Sequence, residues 1–274
     1  MPLRQALELL PSQTMNAQSQ SAACLSVGQP LRLSLAPELL SATRSAHRHL
    51  LDDGTALYLL GFDATQFDPQ AFAAMAIACP DSIARSVRKR QAEFLFGRLA
   101  ARLALQEVLG SAQAQADIAI GATRAPCWPA GSLGSISHCD EYAAAIAVAA
   151  STRQGVGIDL ERMIAPSARA ALLSIAIDAD EAARLAKAAD AQWSHDLLLT
   201  ALFSAKESLF KAAYGAVGRY FDFSAARLCD IDLARQRLHL RLTETLCAQF
   251  VAAQVCEISF ARLSPELIFT HYAW

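Results

Sequence analysis

Apolar residues along this chain are spaced in two ways, and each spacing predicts a different element. Short apolar or alternating runs between polar or glycine-containing segments predict strands. Longer segments, in which apolar residues recur every three or four positions, predict helices. The predicted strands lie at 57–62, 118–120, 142–149, 154–160, within 225–242 and at 254–262. The predicted helices lie at 83–109, which Gly110 ends, at 167–189 and at 193–214.

The order of these elements predicts an α+β fold, because a strand, a long helix and further strands occur twice along the chain. We predict a first subdomain at 39–152 and a second at 153–274, each an α/β unit. Residues 1–38 are polar and mixed, so we expect an N-terminal extension that is irregular. Residues 214–223 contain two glycines and are expected to form a loop after the last predicted helix.

Composition narrows the class of protein. The net charge of −2 argues against a nucleic-acid-binding surface, although a basic run lies at 85–90. No apolar run approaches the roughly 18 residues of a membrane span, and the first residues do not resemble a signal peptide, so we expect a cytoplasmic protein. Its seven cysteines are an odd number without a Cys-x-x-Cys pair, which indicates neither a zinc site nor a disulfide framework.

Two carboxylates lie at the end of the predicted strand at 154–160 and directly after it. Side chains two residues apart share one face of a strand, so Asp159 and Glu161 point the same way. Two adjacent carboxylates resist joint ionisation unless a cation lies between them. Hard oxygen ligands suit Mg²⁺ or Mn²⁺, and Mg²⁺ also takes oxygens from water and phosphate. The alternative is an ordinary solvated strand end.

The predicted helix at 193–214 adds charged residues between two phenylalanines. Glu207 and Lys211 are four residues apart and share one helical face, where Glu207 could bind a metal or take a proton. Lys211 could contact a phosphate oxygen as a compact point charge, and Lys206 adjoins Glu207. A Glu–Lys pair that merely stabilises the helix is the alternative.

A third group of residues follows a loop at 121–131. This loop holds Arg124 with glycines and prolines, and it leads into Ser137 and His138. Backbone amides in such a loop can surround an anion, and the arginine and histidine can add donors. The alternative is a simple turn before a strand, capped by the histidine.

Together these segments resemble the 4′-phosphopantetheinyl transferases of the Sfp type, and within them the enterobactin synthase component D group. The resemblance covers about 57–228, and its motifs occur in the family's order. They are RKRQAEFLFGR at 88–98, PCWP at 126–129, GSISH at 134–138, GIDLE at 157–161 and FSAKESLFK at 203–211.

This resemblance implies transfer of the 4′-phosphopantetheine group of coenzyme A to a serine of an apo carrier protein, with release of adenosine 3′,5′-bisphosphate. It implies two similar halves in a pseudo-twofold arrangement, with the active site in the cleft between them. The implied Mg²⁺ ligands are Asp159, Glu161 and Glu207, and the implied catalytic residues are Glu207 and Lys211. The implied coenzyme A ligands are Arg90, Arg98, Arg124, Ser137, His138, Asp159, Lys206 and Lys211.

Other readings of the same residues stay open. A different metal-dependent phosphate enzyme, such as a phosphohydrolase, could use these carboxylates and release phosphate without a protein acceptor. A non-catalytic relative could bind a carrier domain or coenzyme A without transfer. The motifs are compatible with siderophore, fatty-acid or polyketide carriers. We expect a monomer and a solvated Arg102. The resemblance implies that the region after the last predicted helix meets the carrier protein, where Tyr220, Phe221 and Phe223 could be apolar contacts, and burial of these rings is the alternative.

Overall fold

The computed structural model describes residues 24–110 and 117–274, together with the backbone of the short strand Glu8–Leu9. These residues form two compact units. One holds Leu25–Arg153, and the other holds Gln154–Trp274 with Cys24. Most of the expected irregular extension at 1–38 therefore lies outside the described residues.

The first unit is an antiparallel sheet with one long helix against it. Its strands occur in the spatial order β1-β2-β3-β4-β8-β7. Its elements are β1 (Glu8–Leu9), β2 (Gln29–Arg32), α1 (Pro37–Leu40), β3 (Thr43–Leu50), β4 (Ala56–Phe62), α2 (Ala71–Ala74), α3 (Asp81–Ala84), α4 (Arg88–Leu109), β5 (Ala119–Ile120), β6 (Pro126–Cys127), β7 (Ser132–Cys139) and β8 (Tyr142–Ala149). Strands β5 and β6 form a separate hairpin.

Small side chains let α4 lie close to this sheet. The core contains a row of alanines from β8, and Phe96 of α4 stacks on Phe62 of β4 with 4.6 Å between ring centroids. Gly97 is close to Ile136 of β7, whose methyl carbon would lie 3.0 Å from an added Cβ atom. The N-terminal half of α4 is thereby held beside the segment that carries His138.

The second unit also places one long helix against an antiparallel sheet. Its strands occur in the order β10-β11-β12-β13-β9, so β9 is an edge strand whose neighbour is β13. Its elements are β9 (Val156–Arg162), α5 (Arg169–Ile175), α6 (Ala179–Ala188), α7 (His195–Val217), β10 (Ala226–Asp232), β11 (Arg237–Leu242), β12 (Val255–Ser264) and β13 (Leu267–Ala273). The side chain of Ser194 caps the start of α7, and Gly218, in the left-handed conformation, ends it.

The structure confirms the α+β class and most of the predicted elements, and it corrects several of them. Strand β3 was not predicted, the region 167–189 is divided between α5 and α6, and the long helix predicted at 83–109 begins at Arg88. Residues 132–139 form a strand rather than the end of a loop, because β8 pairs with them along their whole length. The chain at 214–217 continues α7. Strand β13 was not predicted, since its near-continuous burial hides the period of two. Within the expected irregular extension, 29–32 is a strand paired with β3.

In the part of the chain that the structure describes, none of the helices is both long enough and apolar enough to cross a membrane.

Candidate active site

Close contact between α7 and β9 brings the catalytic candidates of the second unit together. Gly157 lies directly beneath the helix, where a Cβ atom would overlap the carbonyl oxygen of Ser208 and lie 2.7 Å from the amide nitrogen of Ala212. Asp159 follows two residues later and therefore faces the helix as well. The absence of a side chain at Gly157 thus allows Asp159 to reach residues of α7.

Asp159 and Lys211 form a partly buried ion pair. The Lys211 ammonium donates to Asp159 Oδ1 at 2.7 Å and to the carbonyl oxygen of Ile158 at 3.0 Å. Asp159 is 4% exposed, whereas the side chain of Lys211 keeps 27% of its surface. The cation therefore neutralises a buried carboxylate and remains accessible from one side, as a phosphate-binding lysine must.

Glu207 lies close enough to this pair to interact with both charges. Burial is the main cause that raises the pKa of Glu207 above its usual value, and the charge of Asp159 adds to the rise while Lys211 opposes it. A half-desolvated carboxylate of raised pKa is a better proton acceptor than an exposed one. The structure thus brings Asp159, Glu207 and Lys211 together.

The donor set fits Mg²⁺ only when oxygens from outside the protein complete it. Asp159 and Glu207 supply hard carboxylate oxygens, and Glu161 lies two residues beyond Asp159 on the same strand face. Among the described residues, no group of three or more His, Cys, Asp or Glu side chains is arranged to hold a metal ion. The three predicted ligands are therefore not gathered into a ready-made cage. Mg²⁺ commonly uses one or two carboxylates with water and substrate phosphate, which suits this arrangement.

Lys206 is used for a different purpose from the one predicted. It is 3% exposed, and its ammonium lies 2.8 Å from Glu181 Oε1 and donates to the carbonyl oxygen of Ala176 at 2.8 Å. Glu181 also accepts the backbone N–H of Leu228 and of Asp178. This network joins α6, α7 and β10, and it occupies the lysine's donors. We therefore leave Lys206 out of the proposed coenzyme A site.

We expect Glu181→Gln to lower the free energy of unfolding by about 3 kcal/mol, because it leaves the Lys206 ammonium buried without a counter-charge. Glu181→Gln with Lys206→Met should recover much of this loss, which urea unfolding would measure. The double variant should also bind coenzyme A as tightly as the parent by calorimetry. A large loss of affinity would return Lys206 to the ligand set.

In the first unit, Arg90 and His138 lie together. Arg90 donates to His138 Nε2 at 2.6 Å and to Glu93 Oε2 at 3.2 Å. The same Glu93 oxygen lies 3.5 Å from His138 Nδ1. Because a guanidinium can only donate hydrogen bonds, His138 Nε2 is the acceptor in its contact with Arg90. Glu93, which the sequence analysis did not single out, orients both predicted coenzyme A ligands.

Arg98 and Arg102 line a cavity of about 400 Å³ between α4 and the segment 117–120. Arg98 lies over the ring of Phe94 and donates to the carbonyl oxygen of Ile118 at 2.7 Å. Burial lowers the pKa of Arg98 to about 10, and Arg90 adds to this effect, so Arg98 is still charged at neutral pH. The expectation that Arg102 is solvated is wrong, because it is 7% exposed and donates to two carbonyl oxygens near the end of α2.

The other two predicted anion ligands occupy different environments. Arg124 is exposed in the turn between β5 and β6, where its backbone has a φ of 67°. Ser137 is 5% exposed on β7 and precedes His138, so the two side chains point to opposite faces of the strand. The sequence placed these residues near one another along the chain, but the structure places their side chains in separate surroundings.

An aromatic cavity of about 120 Å³ lies beside Glu207. Phe210 lines this cavity, with its ring 5.3 Å from that of Tyr220 and 5.0 Å from that of Phe221. Phe221 is buried, whereas Tyr220 keeps 67% of its surface. The segment that follows α7 thus offers apolar surface next to the candidate base.

Comparison with known proteins gives the same family as the motifs. Residues 80–148 match the 4′-phosphopantetheinyl transferase N-terminal domain, and residues 155–259 match the 4′-phosphopantetheinyl transferase superfamily. The second match contains the Asp159, Glu207 and Lys211 arrangement, and the first contains Arg90 and His138.

Several relatives are about a third identical to this chain over the residues that align. Enterobactin synthase component D of Salmonella typhi is 35% identical over 196 residues, which is 72% of this chain and 78% of the relative. That of Escherichia coli (strain K12) is 36% identical over 62% of this chain and 76% of the relative. The 4′-phosphopantetheinyl transferase Svp of Streptomyces mobaraensis is 35% identical over 53% and 57%, respectively. From these matches, the chain belongs to the 4′-phosphopantetheinyl transferase superfamily and is an enzyme of that class.

Proposed function

We propose that this enzyme transfers the 4′-phosphopantetheine group of coenzyme A to a serine of an apo carrier protein with the help of Mg²⁺, and that it releases adenosine 3′,5′-bisphosphate. The observation that carries the proposal is the group of Asp159, Lys211 and Glu207, held by α7 against β9 within the part of the chain that matches the superfamily.

The residues of this group have complementary roles in the proposed reaction. Asp159 and Glu207, with Glu161 beside them, would hold the Mg²⁺, which supplies positive charge to a pyrophosphate. Glu207 accepts the proton of the serine hydroxyl as its oxygen bonds to the phosphorus that carries the pantetheine arm. The bond from that phosphorus to the bridging oxygen breaks, and the bisphosphate leaves. Lys211 donates to a phosphate oxygen through its exposed side and stabilises the charge there.

Cations of the first unit are proposed to bind the remaining charge of coenzyme A. Arg90, with His138 and Glu93 against it, offers guanidinium donors to a phosphate, and Arg98 and Arg124 add positive charge on neighbouring segments. Ser137 remains a proposed contact from β7. The aromatic cavity beside Glu207 is suited to the uncharged part of the transferred arm, and the exposed Tyr220 to the carrier.

The printed name of the relatives from Salmonella and Escherichia suggests the type of client. Because those proteins are components of enterobactin synthase, we propose a carrier domain of siderophore assembly, on a nonribosomal peptide synthetase, as the acceptor. We propose that the enzyme acts in the cytoplasm, where coenzyme A is available, and that it acts as a monomer.

The test of this function is a mass measurement. The protein is mixed with coenzyme A, Mg²⁺ and an apo carrier domain, and we expect the carrier to gain the mass of one phosphopantetheine group. A carrier whose serine is replaced by alanine should gain nothing, and chelation of Mg²⁺ should stop the reaction. Release of inorganic phosphate without a mass gain would instead identify a phosphohydrolase, and binding without either product a non-catalytic protein.

A further inference from the structure

A buried group of hydroxyls lies behind the carboxylates of the second unit. It consists of Ser204 and Ser208 on α7 and Thr270 on β13, which we call the hydroxyl cluster. Ser208 Oγ is 2.6 Å from Thr270 Oγ1 and 3.2 Å from the carbonyl oxygen of Thr270, and Ser204 Oγ is 2.9 Å from Thr270 Oγ1. Ser204, Ser208 and Thr270 are all 0% exposed.

Each hydroxyl of this cluster can donate once to another of its atoms. Ser208 donates to the backbone carbonyl of Thr270, and all three hydroxyls are then satisfied when Ser204 donates to Thr270 Oγ1 and Thr270 donates to Ser208 Oγ. Thr270 Oγ1 is the shared atom, since both serines contact it. Such a fully satisfied polar group in an apolar interface fixes the position of one element on another more tightly than apolar packing does.

The hydroxyl cluster lies where α7 packs against β13, next to β9, which carries Asp159. Thr270 is paired directly with Asp159 across β13 and β9. Ser208 follows Glu207, and its carbonyl oxygen is the atom that faces Gly157. The hydroxyl of Ser208 is thus tied to β13 while its backbone touches β9. A shift of α7 along the sheet would break these contacts and separate Lys211 from Asp159.

We propose that Thr270, through Ser204 and Ser208, is a positioning residue that sets the place of Glu207 and Lys211 relative to Asp159. This inference rests on the proposed function, because the placement of Glu207 and Lys211 affects turnover only if these residues take part in the transfer. Thr270 does not touch the reacting groups in this account. It acts by holding the helix that carries two of them, so its loss lowers turnover while the cations of the first unit keep their affinity for coenzyme A.

The test compares three variants of the full chain by steady-state kinetics of carrier modification and by thermal unfolding. Thr270→Val keeps the shape but removes the shared oxygen, and Thr270→Ser keeps the oxygen. Thr200→Val is the matched control, because Thr200 is also buried on α7 and its hydroxyl contacts the carbonyl of Asp196 and the amide of Ile164 instead. Loss of the Thr200 hydroxyl destabilises the same helix, but at a position that is distant from Glu207 along the helix.

We expect Thr270→Val to lower kcat about 10-fold, since misplacement of a reacting group by about 1 Å can cost up to 100-fold. The KM for coenzyme A should stay within about twofold of the parent, and Thr270→Ser should restore kcat. Thr200→Val should lose thermal stability but keep kcat. Hydrogen exchange at residues 204–211 should rise in Thr270→Val more than in Thr200→Val.

Three results would overturn the inference. They are an unchanged kcat in Thr270→Val, an equal loss of kcat in Thr200→Val, and no recovery in Thr270→Ser. These results are distinct from failure of the proposed function, in which the parent enzyme itself would add no mass to the carrier. Hydrogen exchange does not depend on activity, so it still shows whether Thr270 holds this part of α7.

Discussion

Glu207→Gln should reduce carrier modification by roughly a thousandfold, the range expected when a general base is removed. The amide keeps the size of the side chain but cannot accept the serine proton, and it is a poorer metal ligand than a carboxylate. Single-turnover mass spectrometry with saturating coenzyme A would measure the loss directly. A variant that retains more than about a tenth of the parent rate would remove Glu207 from the catalytic role.

The same variant should be more stable than the parent at neutral pH. Burial raises the pKa of Glu207 in the folded enzyme, so the folded state binds more protons than the unfolded state between the usual pKa of 4.5 and the raised one. Stability from this group therefore falls as pH rises through that window, and removal of the charge recovers it. Thermal unfolding at pH 4 and pH 8, without Mg²⁺, should show a larger gain at pH 8. A loss of stability at pH 8 would contradict this account.

Gly157→Ala should both destabilise the second unit and lower activity. The added Cβ atom would meet backbone atoms of Ser208 and Ala212, which cannot rotate away, so α7 must move off β9. We expect a loss of about 3 kcal/mol in the free energy of unfolding, at the upper end of the usual cost of overpacking. Because Lys211 moves with the helix, kcat should fall by roughly 100-fold.

Gly215→Ala is the matched control for this experiment. Gly215 lies in the same helix, and nothing lies within 4 Å of the position that its Cβ atom would take. Alanine is favoured over glycine in a helix by about 1 kcal/mol, so this variant should be slightly more stable and fully active. Urea unfolding would measure the stability of both variants, and the carrier assay would measure their activity. Equal behaviour of the two would show that α7 and β9 are not in tight contact at Gly157.

Local sequence patterns predicted those helices and strands in which the apolar residues recur with one regular spacing. The alternation and apolar spacing around Tyr142–Ala149 and His195–Val217 gave those elements to within a few residues. Strand β13 was missed because it is buried along its length and so lacks alternation. Strand β7 was taken for a loop because its glycine and serines are weak strand formers, and pairing with β8 overrides that preference.

The candidate site could be predicted only where the contact between residues is local. Helical spacing placed Glu207 and Lys211 on one face of their helix. Strand alternation placed Asp159 and Glu161 on one face of their strand. Spacing could not show that Lys206 is paired with Glu181, 25 residues earlier in the chain, or that Glu93 joins Arg90 to His138. It could not identify Thr270 either, because nothing around this threonine marks it as the partner of Asp159 on the next strand.

The pairing of β9 with β13 also affects the order in which the enzyme can be assembled during translation. The strand that carries Asp159 leaves the ribosome roughly a hundred residues before the strand it joins in the sheet. Contacts between such distant segments form late, because the intervening loop must close first. A nascent chain therefore carries all the proposed catalytic side chains before its sheet can bring them together. We therefore expect activity to appear late, once Leu267–Ala273 is inserted between β12 and β9.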